Sequence, residues 1–247
     1  MKLLQAISSI IIFLLPAVAF ALICFQGNPL YFLGIKKPVS RQTYLLAIIC
    51  IISAFPFVMW LGEINQSLPL WDWMTKMEKE AMKQMQAFLK ADSVFDVIVN
   101  VFIIAFLPAI CEEICFRGAL QRIVINLSRN AWVGIILTSV FFSALHLQFQ
   151  GFLPRMFLGV ILGAIYWYSG SLWPSIVAHF VNNAVQVVAV SYAPEYIEKN
   201  PSIPILAALI SGFIVALTLW RLRSISTVSY EQVYEPETLN RNNQFIA

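Results

Sequence analysis

The sequence predicts an all-α membrane protein: a polytopic bundle of about seven transmembrane helices plus one amphipathic helix lying at the interface. Three observations predict it. Of the 247 residues, 60% are hydrophobic and only 12% are charged, where soluble domains carry about 25% charged residues; mean hydropathy is +0.77. The apolar residues gather in runs close to the roughly 20 that a helix needs to cross a bilayer core. One longer connection between runs instead repeats its apolar residues every three or four positions.

The runs fall near 3–25, 43–62, 94–120, 131–148, 153–169, 173–193 and 202–221. The first follows Lys2 and contains Ala19-Phe20-Ala21, which resembles a leader cleavage site. The run exceeds the roughly 7–15 apolar residues of a leader peptide, so a retained span is expected. The fifth run is short. Between the second and third lies the amphipathic segment, 63–93. Trp71, Met74, Met77, Ala81, Met85 and Phe88 form one face, and Lys76, Lys79, Glu80 and Lys83 the other. Such a helix lies at a membrane surface, as a connector or as a lid over a cavity. A single transmembrane domain, 1–222, is expected, with a chemical core at about 95–192. A polar tail, 223–247, should be loosely held.

Lys36, Lys37 and Arg41, then Arg122 and Arg129, then Arg221 and Arg223 fall in alternate connections. The excess of Lys and Arg in cytoplasmic loops predicts an external N-terminus and a cytoplasmic C-terminus. Lys76, Lys79, Lys83 and Lys90 run against this, in a longer connection that also carries Glu78, Glu80 and Asp92. A net charge of +3, dispersed along the chain, argues against nucleic acid as a partner; membrane lipid is the expected surrounding. Cys24, Cys50, Cys111 and Cys115 lie in or beside apolar runs and read as small buried hydrophobes, not a disulfide framework. There is no repeat and no glycine-rich phosphate loop, and no cofactor is called for.

Against this background the charged and polar residues inside apolar runs stand out. A charge at the bilayer centre costs roughly 2.5–3.5 kcal/mol on insertion scales, yet the third run contains Glu112-Glu113-Ile114-Cys115-Phe116-Arg117. Glu113 and Arg117 are four apart and should pair. Glu112 is about 100° round the helix, free to serve another partner. Pro108, one turn earlier, should bend the helix. The chain's two histidines lie in other runs: His146 after Phe142, and His179 four residues before Asn183. His179 and Asn183 share a face and can both donate to one oxygen. Taken singly, each feature has a plainer reading: a helix end in water, a satisfied histidine, interhelical glue. Together they supply a base and a pair of donors, the parts of a hydrolase.

Glu-Glu-x-x-x-Arg (Glu112, Glu113, Arg117), Phe-x-x-x-His (Phe142, His146) and His-x-x-x-Asn (His179, Asn183), in that order on successive apolar segments, resemble the CAAX protease and bacteriocin-processing family. These are intramembrane glutamic endopeptidases related to the type II CAAX prenyl endopeptidases. The resemblance covers about residues 95–192 and implies a peptide hydrolase of bacterial cell membranes acting on a membrane-associated or lipidated peptide. It implies Glu112 as general base on a water and His146 as its helper. It further implies His179 and Asn183 as the oxyanion hole, Glu113 as a catalytic residue that positions the site and contributes to water or substrate handling, and Arg117 and Phe142 as positioning groups, with no metal. Two other chemistries fit the same residues: a zinc site built from two histidines and a glutamate, and a cysteine nucleophile at Cys111 or Cys115 with a histidine and Asn183. An ion relay or a non-catalytic binding scaffold is the non-enzymatic alternative.

Overall fold

Ten helices and no strand account for the regular structure in the computed structural model, which describes residues 2–25, 28–193, 202–230 and 233. In chain order they are α1 (Lys2–Cys24), a single turn α2 (Pro29–Phe32), α3 (Gln42–Ser53), α4 (Phe55–Gln66) and α5 (Asp72–Leu89). Then come α6 (Val94–Ser128), α7 (Ala131–Ala144), α8 (Phe152–Ser169), α9 (Leu172–Tyr192) and α10 (Ile205–Ile225).

The helix boundaries follow from local chemistry. Ser93 caps α6: its hydroxyl accepts from the Asp96 amide at 3.2 Å and donates to the Asp96 carboxylate at 2.8 Å, satisfying otherwise orphaned groups. The Asn130 side chain caps α7 through the amides of Trp132 and Val133, and Ser171 caps α9 through that of Trp173. Gly170, at φ 63°, ends α8 in the left-handed conformation that glycine adopts without strain.

Proline is handled in two ways. At Pro56 the helix breaks, and α3 and α4 meet at 40°. The bond lost there would have run from the Phe57 amide to the Ser53 carbonyl. The Ser211 hydroxyl of α10 takes its place, accepting from Phe57 at 3.1 Å and donating to Ser53 at 2.5 Å. A neighbouring hydroxyl thus repairs the backbone inside an apolar bundle. At Pro108 the helix runs on: the preceding Val101–Phe106 segment is π-helical, and its wider turn accommodates the ring within one 35-residue helix.

The core has two parts that share α8 and α9. In one, Ala47, Cys50 and Ile51 of α3 and Val215 and Leu222 of α10 pack on Ile161, Leu162 and Ile165 of α8 and Ala178 of α9. In the other, Ala17 and Ala21 of α1, Phe32 of α2, and Ile114 and Ala119 of α6 meet Tyr166, Leu172 and Ile176. The helix at the centre is therefore α8. Its Gly159 and Gly163 bring the backbone against neighbours: a Cβ on Gly159 would stand 2.9 Å from Ser139 of α7, and one on Gly163 2.6 Å from Gln121 of α6. Small residues four apart are the usual device for close helix contact in membranes.

The helical membrane bundle is as the sequence predicts, but the span count differs. Among the described residues, four helices are long and apolar enough to cross a membrane, or five if α3 and α4 make one span. Two expected spans do not qualify. With 14 residues, α7 reaches about 21 Å, short of the roughly 30 Å hydrocarbon core. α9 has 21 residues, but Ser175, His179, Asn182, Asn183 and Gln186 lower its hydropathy. α5 is amphipathic as expected, with Met74, Met77, Ala81, Met85 and Phe88 half-buried and Lys76, Lys79, Glu80 and Lys83 exposed; Trp71, expected on the apolar face, precedes the helix and is exposed. The expected tail at 223–247 lies largely outside the described residues, after α10 has carried the chain to Ile225.

Candidate active site

The site is built around a carboxylate with no access to water. Glu113 of α6 is fully buried, and so is Arg117. Their spacing brings Arg117 Nη1 to 2.8 Å from Glu113 Oε1, the pair expected from the sequence. Glu113 closes the α-helical stretch, and Ile114–Gln121 is π-helical, a local widening often found at functional sites. From this segment Arg117 Nη2 donates to the Gly159 carbonyl at 3.2 Å, and Gln121 Nε2 donates to the Gly163 carbonyl at 3.1 Å. Two rungs four residues apart thus tie α6 to the two glycines of α8.

Two more donors reach Glu113 from α9. Ser175 Oγ donates to Oε2 at 2.5 Å, and His179 Nδ1 donates to Oε1 at 2.9 Å. A carboxylate accepts only, so the proton of this last bond sits on Nδ1. The imidazole is thereby oriented, with Nε2 turned toward Glu112: Nε2 stands 3.8 Å from Glu112 Oε2. Glu112 keeps 9% of its surface open, so of the two adjacent carboxylates it is the accessible one.

Phe142 of α7 forms the common wall. Its ring centroid lies 5.0 Å from that of His146, 5.9 Å from His179 and 5.1 Å from Phe116, all edge-on. The Arg117 guanidinium sits 4.7 Å from the same centroid. Both histidines therefore border one aromatic ring. Just past the C-terminus of α7, His146 gives its Nδ1 proton to the Phe142 carbonyl at 2.8 Å. Its Nε2 is left with a lone pair, the tautomer that can accept a proton. The turn that follows is strained: Leu147 has φ 53°, a left-handed conformation costing a non-glycine residue about 1–2 kcal/mol.

Six of the seven sequence-predicted residues (Glu112, Glu113, Arg117, Phe142, His146 and His179) are thus brought together. Asn183 occupies the same face of α9 as His179, but its hydrogen bond is to its neighbour: Asn182 Nδ2 donates to Asn183 Oδ1 at 3.0 Å. That bond fixes the amide's orientation and leaves its N–H groups as the free donors. Sequence reasoning missed Ser175, although it lies four residues before His179 and shares its face. It also missed Arg155 of α8, within electrostatic reach of Glu112, His146 and Glu78. Among the described residues no three His, Cys, Asp or Glu side chains gather in an arrangement able to hold a metal ion. Cys111 and Cys115 are free thiols, and each histidine directs its Nδ1 elsewhere.

Residues 94–185 match the family model described as type II CAAX prenyl endopeptidase Rce1-like. The matched segment runs from the first residue of α6 through the site residues of α9. Comparison with curated proteins and with solved structures gave no match.

Proposed function

We propose that this chain, whose residues 94–185 match the type II CAAX prenyl endopeptidase Rce1-like family model, hydrolyses peptide bonds by a glutamate-activated water. The observation that carries the reading is the division of labour between two adjacent carboxylates. Glu113 is saturated by Arg117, Ser175 and His179. Glu112 is partly open and faces an imidazole at 3.8 Å. A saturated carboxylate positions; an open one can take a proton.

In the proposed reaction Glu112 accepts a proton from water as the water oxygen bonds to the scissile carbonyl carbon. His146 Nε2, with its lone pair, holds the other hydrogen of that water. The tetrahedral oxyanion meets Asn183 Nδ2 and His179 Nε2. Because His179 Nδ1–H is committed to Glu113, Nε2 donates only as part of an imidazolium, which two glutamates flank. When the intermediate collapses the C–N bond breaks, and Glu112 returns its proton to the leaving amine. General-base catalysis of this kind contributes typically 10²–10⁴-fold, and one oxyanion donor about 10²–10³-fold.

The substrate in this reading is a membrane-associated peptide, with a lipidated one the class that the family's description supports. The Lys and Arg distribution supports an external N-terminus and a cytoplasmic C-terminus, and the resemblance supports a bacterial cell membrane. Mass spectrometry of membrane and secreted peptides from cells carrying wild type or Glu112→Ala tests the reading. Products unique to the wild type are expected. Identical peptide pools, with both proteins at equal abundance, would refute it.

A further inference from the structure

α7 holds His146 only through its last turn, by the His146 amide on the Ser143 carbonyl at 3.3 Å and by Nδ1 on the Phe142 carbonyl at 2.8 Å. α7 ends at Ala144, and the chain then passes through His146, the left-handed Leu147 and a tight turn, Phe149–Gly151, before α8 begins. A strained bulky residue beside a working side chain persists only where the surroundings fix it. The groups that brace the chain just after it come largely from outside the family-matched segment. Asn65, at the end of α4 and 3% exposed, grips the turn from both sides. Its Nδ2 donates to the Phe149 carbonyl at 2.8 Å, and its Oδ1 accepts from the Leu153 amide at 2.6 Å. Glu78 of the amphipathic helix α5 accepts from the Gln150 amide at 2.9 Å, and Trp73 packs edge-on against Phe149 at 5.2 Å. Ser143 and Arg155 complete the frame: Ser143 Oγ donates to the Phe152 carbonyl at 2.7 Å, and Arg155 Nη2 to Gln148 Oε1 at 2.6 Å.

We propose that Asn65 and Glu78 are positioning residues for His146, so that α4 and the amphipathic helix α5 hold the catalytic loop in its working conformation. This rests on the peptidase reading above. It gives α5 a task that amphipathicity alone does not: the inward Glu78 couples a surface helix to the site. Asn65 is the stronger element, because it satisfies one acceptor and one donor on either side of the turn from two separate atoms of one planar amide. Displacing a catalytic group by about 1 Å can cost 10²-fold in rate.

The test uses the full-length protein in detergent or liposomes, with an internally quenched farnesylated peptide ending in a CAAX sequence as probe. Asn65→Ala is expected to lower kcat by about 10–100-fold with KM nearly unchanged. Glu78→Ala, on a partly exposed helix, gives a smaller loss in the same direction. Glu78→Gln, which keeps the accepting oxygen, restores the rate. Adding Leu147→Gly to Asn65→Ala should recover part of the loss, since glycine adopts the left-handed conformation unaided; a general loss of packing would show no such rescue. Hydrogen exchange at the Gln150 and Leu153 amides should quicken in the corresponding variants. If Asn65→Ala and Glu78→Ala cleave like wild type while Glu112→Ala is inactive, the positioning role is wrong and the peptidase reading stands. If Glu112→Ala also cleaves like wild type, both fall.

Discussion

Glu113 is held by an ion pair to Arg117 at 2.8 Å and by hydrogen bonds from Ser175 and His179 at 2.5 and 2.9 Å. Removing one member of a buried ion pair leaves the other charge uncompensated, at about 3–5 kcal/mol, whereas replacing both by apolar groups of like size is often tolerated. Arg117→Ala should therefore destabilise the protein by about that amount. Glu113→Leu combined with Arg117→Met should regain much of the stability without activity, because His179 loses its anchor. Thermal unfolding in detergent, paired with peptide cleavage, separates the two effects; full activity in the double variant would remove Glu113 from the mechanism. The residue scale is also where the sequence was most and least legible. Glu113 and Arg117 are four apart on one helix, so their pairing follows from spacing. Ser175 carries the same spacing to His179, but a serine in a membrane helix has many ordinary uses. Asn65 could not be found locally: its partners, Phe149 and Leu153, lie 84 and 88 positions along the chain, and both are reached through the backbone, which leaves no pattern in side chains.

At the scale of elements, Pro56 and Pro108 differ in outcome because their surroundings differ. Pro108 follows a π-helical stretch, Val101–Phe106, whose wider turn accommodates its ring. Pro56 opens a break that Ser211 bridges from α10. The direction of α4, and with it the placement of Asn65, depends on that break. Ser211→Ala should leave the Ser53 carbonyl and the Phe57 amide without their partner and cost about 1–3 kcal/mol, read as a lowered unfolding midpoint. An unchanged midpoint would mean that the bend holds without the hydroxyl. Apolar runs revealed every long described helix except the amphipathic α5, which its periodicity revealed, but not where α7 ends. The run continues through Leu145 and Leu147, whereas the helix stops at Ala144, where the chain turns to present His146. Hydropathy reports what a residue is made of; a functional turn is set by tertiary partners that it does not record.

For the whole molecule, the same helices that make the bundle also make the site, with α8 as the common spine. Its Gly159 and Gly163 carbonyls receive Arg117 and Gln121 from α6. Its Leu162 carbonyl stands 3.1 Å from the Ser175 hydroxyl of α9, whose proton goes to Glu113. Residues 94–185, which match the family model, carry the proposed site residues, while Asn65 of α4 and Glu78 of α5 bond to the loop after His146 from outside that segment. The central claim is that Glu112 activates water beside His146. It is tested most directly by steady-state cleavage of a farnesylated CAAX-type peptide by the purified full-length protein in liposomes. The account expects Glu112→Gln and His146→Ala each to lose about 10²–10⁴-fold in kcat, while the combined Cys111→Ala and Cys115→Ala variant keeps the wild-type rate. Wild-type kcat in Glu112→Gln, or loss confined to the cysteine variant, would contradict it.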